Sequence, residues 1–122
     1  MLLDATVLID FLNQVPDAVT FMGNLDPKKA SISSVTLAEV LVGCDTEQQG
    51  AILKLIASFR FFDIDKEIAI LASRLRQEYH WKLPDSFQAA IAIKHKIIFI
   101  TRNTKDFDPH IHKFVKIPYR IR

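Results

Sequence analysis

Apolar residues recur at two periods along the chain, and the alternation between those periods predicts the order of its elements. Leu2-Leu3 is a short buried strand closed by Asp4, and a helix follows through Phe11 and Leu12. Pro16-Asp17 opens a second helix with Val19, Met22 and Leu25 on one face, ended by the turn residues Gly23-Asn24 and Asp26-Pro27. Ala30 to Ser33 is a strand, and Ser33 or Ser34 can cap a helix from Val35 to Val42 that stops at Gly43. A further helix from about Glu47 to Ser58 is expected to pair with it as a hairpin. Arg60 to Ile64 is a strand, and Asp65 caps the clearest amphipathic helix, in which Ile68, Leu71, Ala72, Leu75 and Tyr79 hold a 3.6-residue period. A small-residue helix from Asp85 to about His95 leads into Ile97 to Thr101, nearly continuously apolar, as a strand covered on both faces would be. Phe114 to Ile117 is a last strand.

Strands alternating with helices, without Asn-Gly or Asp-Gly hairpin turns, predict a three-layer α/β/α domain with a central, mainly parallel sheet. At 122 residues, 49% hydrophobic and 25% charged, the chain suits a single domain, residues 1–122, with one real core. No apolar run approaches about 18 residues, so no membrane span is expected, and the N-terminus has no basic region ahead of its apolar residues and meets Asp4 at once, so no signal peptide is expected. One cysteine, Cys44, excludes an internal disulfide, suits a reducing cytoplasm and reads as a small buried hydrophobe. A net charge of +2 identifies no partner, but residues 110–122 carry Lys113, Lys116, Arg120 and Arg122 and no acid, either a solvated tail or a basic end that faces phosphates.

The acids change the picture. In an open parallel sheet, ligands bind beyond the carboxyl ends of the strands. Asp4 follows the first strand there, and Asn103 and Asp106 follow the strand ending at Thr101. Glu39 interrupts an otherwise apolar helix; it either sits in an apolar setting that demands a cation or faces the wet side of that helix. Asp85 has two readings. Preceded by Pro84 and followed three residues later by Gln88, it has the form of a capping-box acid, and it could equally serve catalysis. As the start of the helix that feeds the Ile97 strand, it is formally at that strand's opposite edge. Carboxylates converging on one point would raise one another's pKa unless a divalent cation neutralised them, and Mg²⁺ or Mn²⁺ is the expected ion for all-oxygen ligands. Phosphodiester hydrolysis is the chemistry such a centre suggests.

Four segments carry a resemblance. Asp4-Ala5-Thr6-Val7-Leu8-Ile9, Ile32 to Val40 around Glu39, Leu83-Pro84-Asp85-Ser86-Phe87-Gln88-Ala89-Ala90-Ile91-Ala92, and Ile100-Thr101-Arg102-Asn103-Thr104-Lys105-Asp106-Phe107 resemble, in order and spacing, the motifs of PIN-domain ribonucleases, in particular the VapC toxins of type II toxin–antitoxin pairs. The resemblance implies a metal-dependent endoribonuclease, dimeric and restrained by a cognate antitoxin. It implies Asp4 and Asp85 as principal metal ligands, Glu39 as a ligand directly or through water, and Thr6 and Thr101 as hydroxyls that orient the acids. Asn103 stands where an Asp is common, so either it or Asp106 serves the fourth position.

Other features admit plainer readings. Arg102 and Lys105, at the carboxyl end of the Ile97 strand, could meet an RNA backbone or simply be solvated. His110 and His112 share a face if extended, but two imidazoles are weak evidence for zinc, and a surface role is expected. Trp81 and Phe87 are expected in the core rather than stacked on bases. The helix pair from Val35 to Ser58 is the expected dimer or antitoxin contact, with Leu55 and Ile56 as test positions. Two other functions compete: a receiver-type phosphoacceptor using Asp63 with Lys116 ahead of Pro118, and a PIN fold kept only for binding.

Overall fold

The computed structural model describes residues 1–120; Arg122, the last cation of the basic end, lies outside them. In chain order the elements are β1 (Leu2–Leu3), α1 (Ala5–Leu12), α2 (Pro16–Gly23), a 3₁₀ turn (Pro27–Lys29), β2 (Ser31–Ser33), α3 (Ser34–Val42), α4 (Thr46–Ile56), β3 (Arg60–Phe62), α5 (Lys66–Tyr79), α6 (Leu83–His95), β4 (Phe99–Ile100) and β5 (Val115–Lys116). Every strand pairing is parallel, in the order β3-β2-β1-β4-β5. The strands are shorter than their apolar runs.

Because successive strand residues face opposite ways, Leu2 and Leu3 serve two cores. Leu2, Phe62, Phe99 and Val115 pack under α5 and α6 through Ile68, Ala72, Leu75 and Ala89 to Ala92. Leu3, Ile32 and Ile100 pack under α1, α3 and α4 through Val7, Leu8, Val40, Ile52 and Ile56. This is the expected three-layer α/β/α arrangement.

Strand order excludes the receiver-type reading. Receivers place their third strand beside the first, in the order 2-1-3-4-5. Here β3 is the edge strand beyond β2, and Asp63 after it is exposed and apart from Asp4. The chain leaves β1 toward β2 on one side and later fills β4 on the other, so the switch point where ligands bind lies between β1 and β4.

Helix α5 ends at His80, in the left-handed region at φ 62°, and the chain reverses into α6. Lys94 near the end of α6 pairs with Asp65 and Glu67 at the start of α5, which makes the two helices antiparallel. A 13-residue helix that must deliver the chain to the amino end of β4 begins over the carboxyl edge of the sheet, roughly 20 Å away. Asp85 is therefore on the same edge as Asp4, not the opposite one. Helices α3 and α4 meet chiefly at a corner, where Gln49 Nε2 donates to the carbonyls of Leu41 and Cys44, while α3 packs on α1 and α6.

Candidate active site at the switch point

Asp4 is the N-cap of α1 and is buried. Its Oδ1 accepts from Ala5 N at 2.8 Å, and its Oδ2 accepts from Thr6 Oγ1 at 3.1 Å and from Thr101 Oγ1 at 2.7 Å. Cap and candidate ligand are thus one residue in two roles, since the hydroxyls fix the carboxylate while it closes β1. Burial raises its pKa, and the Thr101, Thr6 and Ala5 hydrogen bonds oppose that rise.

Asp85 lies in the first turn of α6, but Lys82 is the N-cap and makes no side-chain cap bond. The capping-box form is not realised. Gln88 is fully buried and points across the core: Ser33 Oγ donates to its Oε1 at 2.7 Å, and its Nε2 donates to Thr36 Oγ1. Thr36 Oγ1 in turn donates to Leu3 O at 3.2 Å. This buried polar chain seats the start of α3 and the first half of α6 against the end of β1, and nothing in the hydropathy pattern signals it. The Asp85 carboxyl is half-buried, and its pKa is pushed up to about 6 by desolvation and then by the charges of Asp4 and Asp106, with Lys82 opposing.

Of the two readings of Glu39, the structure supports the wet-side one over the apolar setting. Only Thr36 and Val40 of α3 are buried; Glu39 and Ala38 are exposed and Val42 is 88% exposed. The apolar run of α3 is thus a surface helix with an uncovered flank, and Glu39 stands on its wet side. Its carboxyl is nonetheless raised, first by partial desolvation and then by Asp4 and Asp85, which places it within their field.

The segment after β4 brings Asp106 toward the other acids. Asn103 N donates to Thr101 Oγ1 at 3.1 Å, Asn103 Nδ2 donates to Asp106 Oδ2 at 3.0 Å, and Asp106 N donates to Asn103 Oδ1 at 3.2 Å. Trp81 Nε1 donates to Asp106 O at 3.1 Å. Asn103 thus folds the turn and holds the Asp106 carboxylate, whose charge reaches Asp85.

Asp4, Glu39, Asp85 and Asp106 form no ion pair among the described residues. No three of His, Cys, Asp and Glu there stand as a closed metal-holding cluster. The donor set is nevertheless what a hard divalent cation takes: carboxylate oxygens close enough to raise one another's pKa. A depression of about 510 Å³ lies at the amino edge instead, lined by Lys28, Lys29, Arg60 and Lys116 among others, and none of these acids lines it.

Arg102 is not free. Its Nε donates to Asp10 Oδ2 at 2.6 Å and its Nη2 to Asp10 Oδ1 at 3.2 Å, while Tyr119 donates its hydroxyl to Asp10 Oδ2 at 2.9 Å. Asp10 is buried, and its spacing on α1 gave no sign of this pairing. Lys105 is exposed. Trp81 is in the core and Phe87 packs against it, as expected. His112, expected at the surface, is half-buried among Tyr79, Trp81, Phe107 and Phe114, with ring centroids 5.1 to 6.4 Å away; His110 is exposed.

The PIN domain family matches residues 1–109. Similar solved structures include a toxin–antitoxin complex from Klebsiella pneumoniae, 36% identical with a TM-score of 0.86 and 98% of each chain covered. FitAcB from Neisseria gonorrhoeae is 22% identical, TM-score 0.77, with 96% of each chain covered. DNA-bound VapBC from Salmonella typhimurium is 24% identical, TM-score 0.74, covering 88% of this chain and 89% of that one. These last two show the fold alone. No curated protein matches. With the family matched over most of its length, and with ordered acids at the β1/β4 switch point, the chain belongs to the PIN-domain family.

Proposed function

We propose that this chain is a metal-dependent endoribonuclease that hydrolyses RNA phosphodiester bonds, acting as the toxin of a cytoplasmic toxin–antitoxin pair. The observation that carries the reading is the convergence of Asp4, Glu39 and Asp85 at the switch point, where desolvation and the neighbouring acids push Asp85 up to about 6 against the opposing charge of Lys82. Asp4 and Asp85 are the principal ligands for Mg²⁺ or Mn²⁺, with Glu39 beside them. When bound, such a cation neutralises the acids, polarises the phosphoryl oxygens and favours deprotonation of the attacking water.

The chain's own residues do the rest. Thr6 and Thr101 hold Asp4 Oδ2, so the carboxylate meets a cation in one orientation. Glu39, open to solvent, takes the proton of the attacking water. Asp106 is the fourth acid and Asn103 its holder, rather than Asn103 standing in for a missing ligand. Arg102 and Lys105 bring phosphates toward this edge.

An antitoxin partner is supported by the 36% identical chain from a toxin–antitoxin complex. A homodimer is supported by Val42, 88% exposed on α3, and Leu53, 47% exposed on α4. Ile56 belongs to the core and Leu55 is half-buried against it, so they are poor probes of that face. The test is incubation of the purified protein with single-stranded and structured RNAs in Mg²⁺ or Mn²⁺. Cleavage that chelator abolishes is the expected result; cleavage unchanged in excess chelator, or none with either metal, would overturn the reading.

A further inference from the structure

Around Asp10 the structure joins three segments that are far apart in sequence. The buried carboxylate accepts from Arg102 Nε, Arg102 Nη2 and the Tyr119 hydroxyl. One carboxylate therefore fixes the segment after β4 and the chain end after β5 against α1. Desolvation, and then the Asp10 hydrogen bond and charge, push the Tyr119 hydroxyl above its ordinary pKa, so it remains a donor to Asp10.

The ion pair leaves part of Arg102 unused. A guanidinium carries five N–H groups in a planar fork. Asp10 takes the edge formed by Nε and one Nη2 hydrogen, which leaves Nη1 and the second Nη2 hydrogen without an Asp10 contact. Arg102 lines a depression of about 260 Å³ together with Thr104, Ile117, Tyr119 and Arg120. No acidic residue lines it, and Arg120 has no ion pair among the described residues. Arg120 directly follows Tyr119, so the tether to Asp10 also sets where Arg120 emerges.

The depression is joined to the acids through the chain. Arg102 is the residue after Thr101, whose hydroxyl holds Asp4. Asp10 is six residues beyond Asp4 along α1, or roughly 9 Å of rise.

We propose that Arg102 and Arg120 form a phosphate subsite for the RNA strand that enters the acid centre, with Asp10 and Tyr119 as its positioning residues. A planar fork and a second guanidinium with no ion pair among the described residues, both lining one depression, suit a phosphodiester, which offers two unesterified oxygens. The Thr104 hydroxyl is a further donor on the wall. Asp10 already offsets the Arg102 charge, so Arg120 supplies most of the electrostatic attraction and Arg102 most of the orientation.

This inference rests on the endoribonuclease reading, and two readouts separate them. Cleavage by the unaltered protein tests that reading. The subsite is tested by binding of a fluorescent single-stranded RNA to the Asp85→Asn protein, which needs no turnover, over 50 to 200 mM salt. Arg120→Gln, at an exposed position, is expected to weaken binding about tenfold and to lower the salt slope by about one. In the cleaving protein the same change is expected to raise KM with kcat unchanged. Arg102→Lys keeps the charge but loses the fork, and is expected to weaken binding severalfold without lowering the salt slope. An unchanged affinity and salt slope in Arg120→Gln would overturn the subsite even if the protein cleaves RNA. A weakened Arg120→Gln in a protein that never cleaves RNA would keep the subsite and overturn the enzyme.

Discussion

Thr101 Oγ1 donates to Asp4 Oδ2 at 2.7 Å across 97 residues of sequence, joining the carboxyl ends of β4 and β1 at the switch point. Thr101 is fully buried, and this is the shorter of the two hydroxyl bonds to that oxygen. Thr101→Val keeps the shape and removes the donor. A hydrogen bond to a charged group contributes about 1.5–3 kcal/mol, so urea unfolding at pH 7.5 should show a loss of that order, with Thr101→Ser recovering most of it.

Asp85 makes the metal-free protein sensitive to pH in a defined direction. Its pKa is raised from 3.8 to about 6, so the folded state favours the neutral acid. Its contribution to stability is fully present below about 3.8 and is lost as pH rises through 6. Asp4 and Glu39 are raised as well and act with the same sign. Asp85→Asn should therefore stabilise the metal-free protein at pH 7.5, by roughly 1 kcal/mol once solvent screening of the half-open carboxyl is allowed for. The gain should disappear by pH 4. Melting curves of the two proteins in chelator check this, and equal melting temperatures at every pH would contradict it.

The Gln88 side chain holds two hydroxyls that have no water to turn to. Ser33, Thr36 and Gln88 are all fully buried. Gln88→Met is close in volume and leaves the buried Ser33 O–H without an acceptor, at about 1–3 kcal/mol, while Thr36 Oγ1 loses one bond, worth about 0.5–1.5 kcal/mol, and keeps its own to Leu3 O. The expected result is a loss of roughly 2–4 kcal/mol in denaturant unfolding.

Val42→Asp tests the proposed dimer face. At 88% exposure the change should leave unfolding within about 0.5 kcal/mol of the parent while converting a dimer to a monomer in sedimentation. Retained association would move the interface elsewhere.

Periodicity and turn residues were sufficient for the order and type of the main elements, because β1 and β4 are wholly apolar, Asp4, Ser33 and Asp65 cap α1, α3 and α5, and Pro16 and Pro84 open α2 and α6. The placement of Asp85 was not legible that way. It depends on α6 running against the strands, a consequence of parallel pairing and helix length rather than of any residue near Asp85. Which of its two readings Glu39 would take was not legible for a related reason, since an apolar helix at the rim of a small sheet has too little neighbouring surface to be covered all round. Gln88 and Asp10 bond partners 52 to 109 residues away, and local pattern contains no trace of them.

Paired measurement of cleavage and metal binding in the unaltered protein and in Asp85→Asn bears most directly on the acid centre. The unaltered protein should cleave RNA in Mn²⁺, stop in chelator, and melt at a higher temperature with Mn²⁺ than without. At pH 6 it should release protons as it takes up the ion, because Asp85 is then about half protonated. Asp85→Asn should fold, fail to gain from Mn²⁺, and lose more than the ~10–100-fold of activity typical of an outer-shell substitution. Full cleavage by Asp85→Asn, or an equal Mn²⁺ gain in both proteins, would contradict the account.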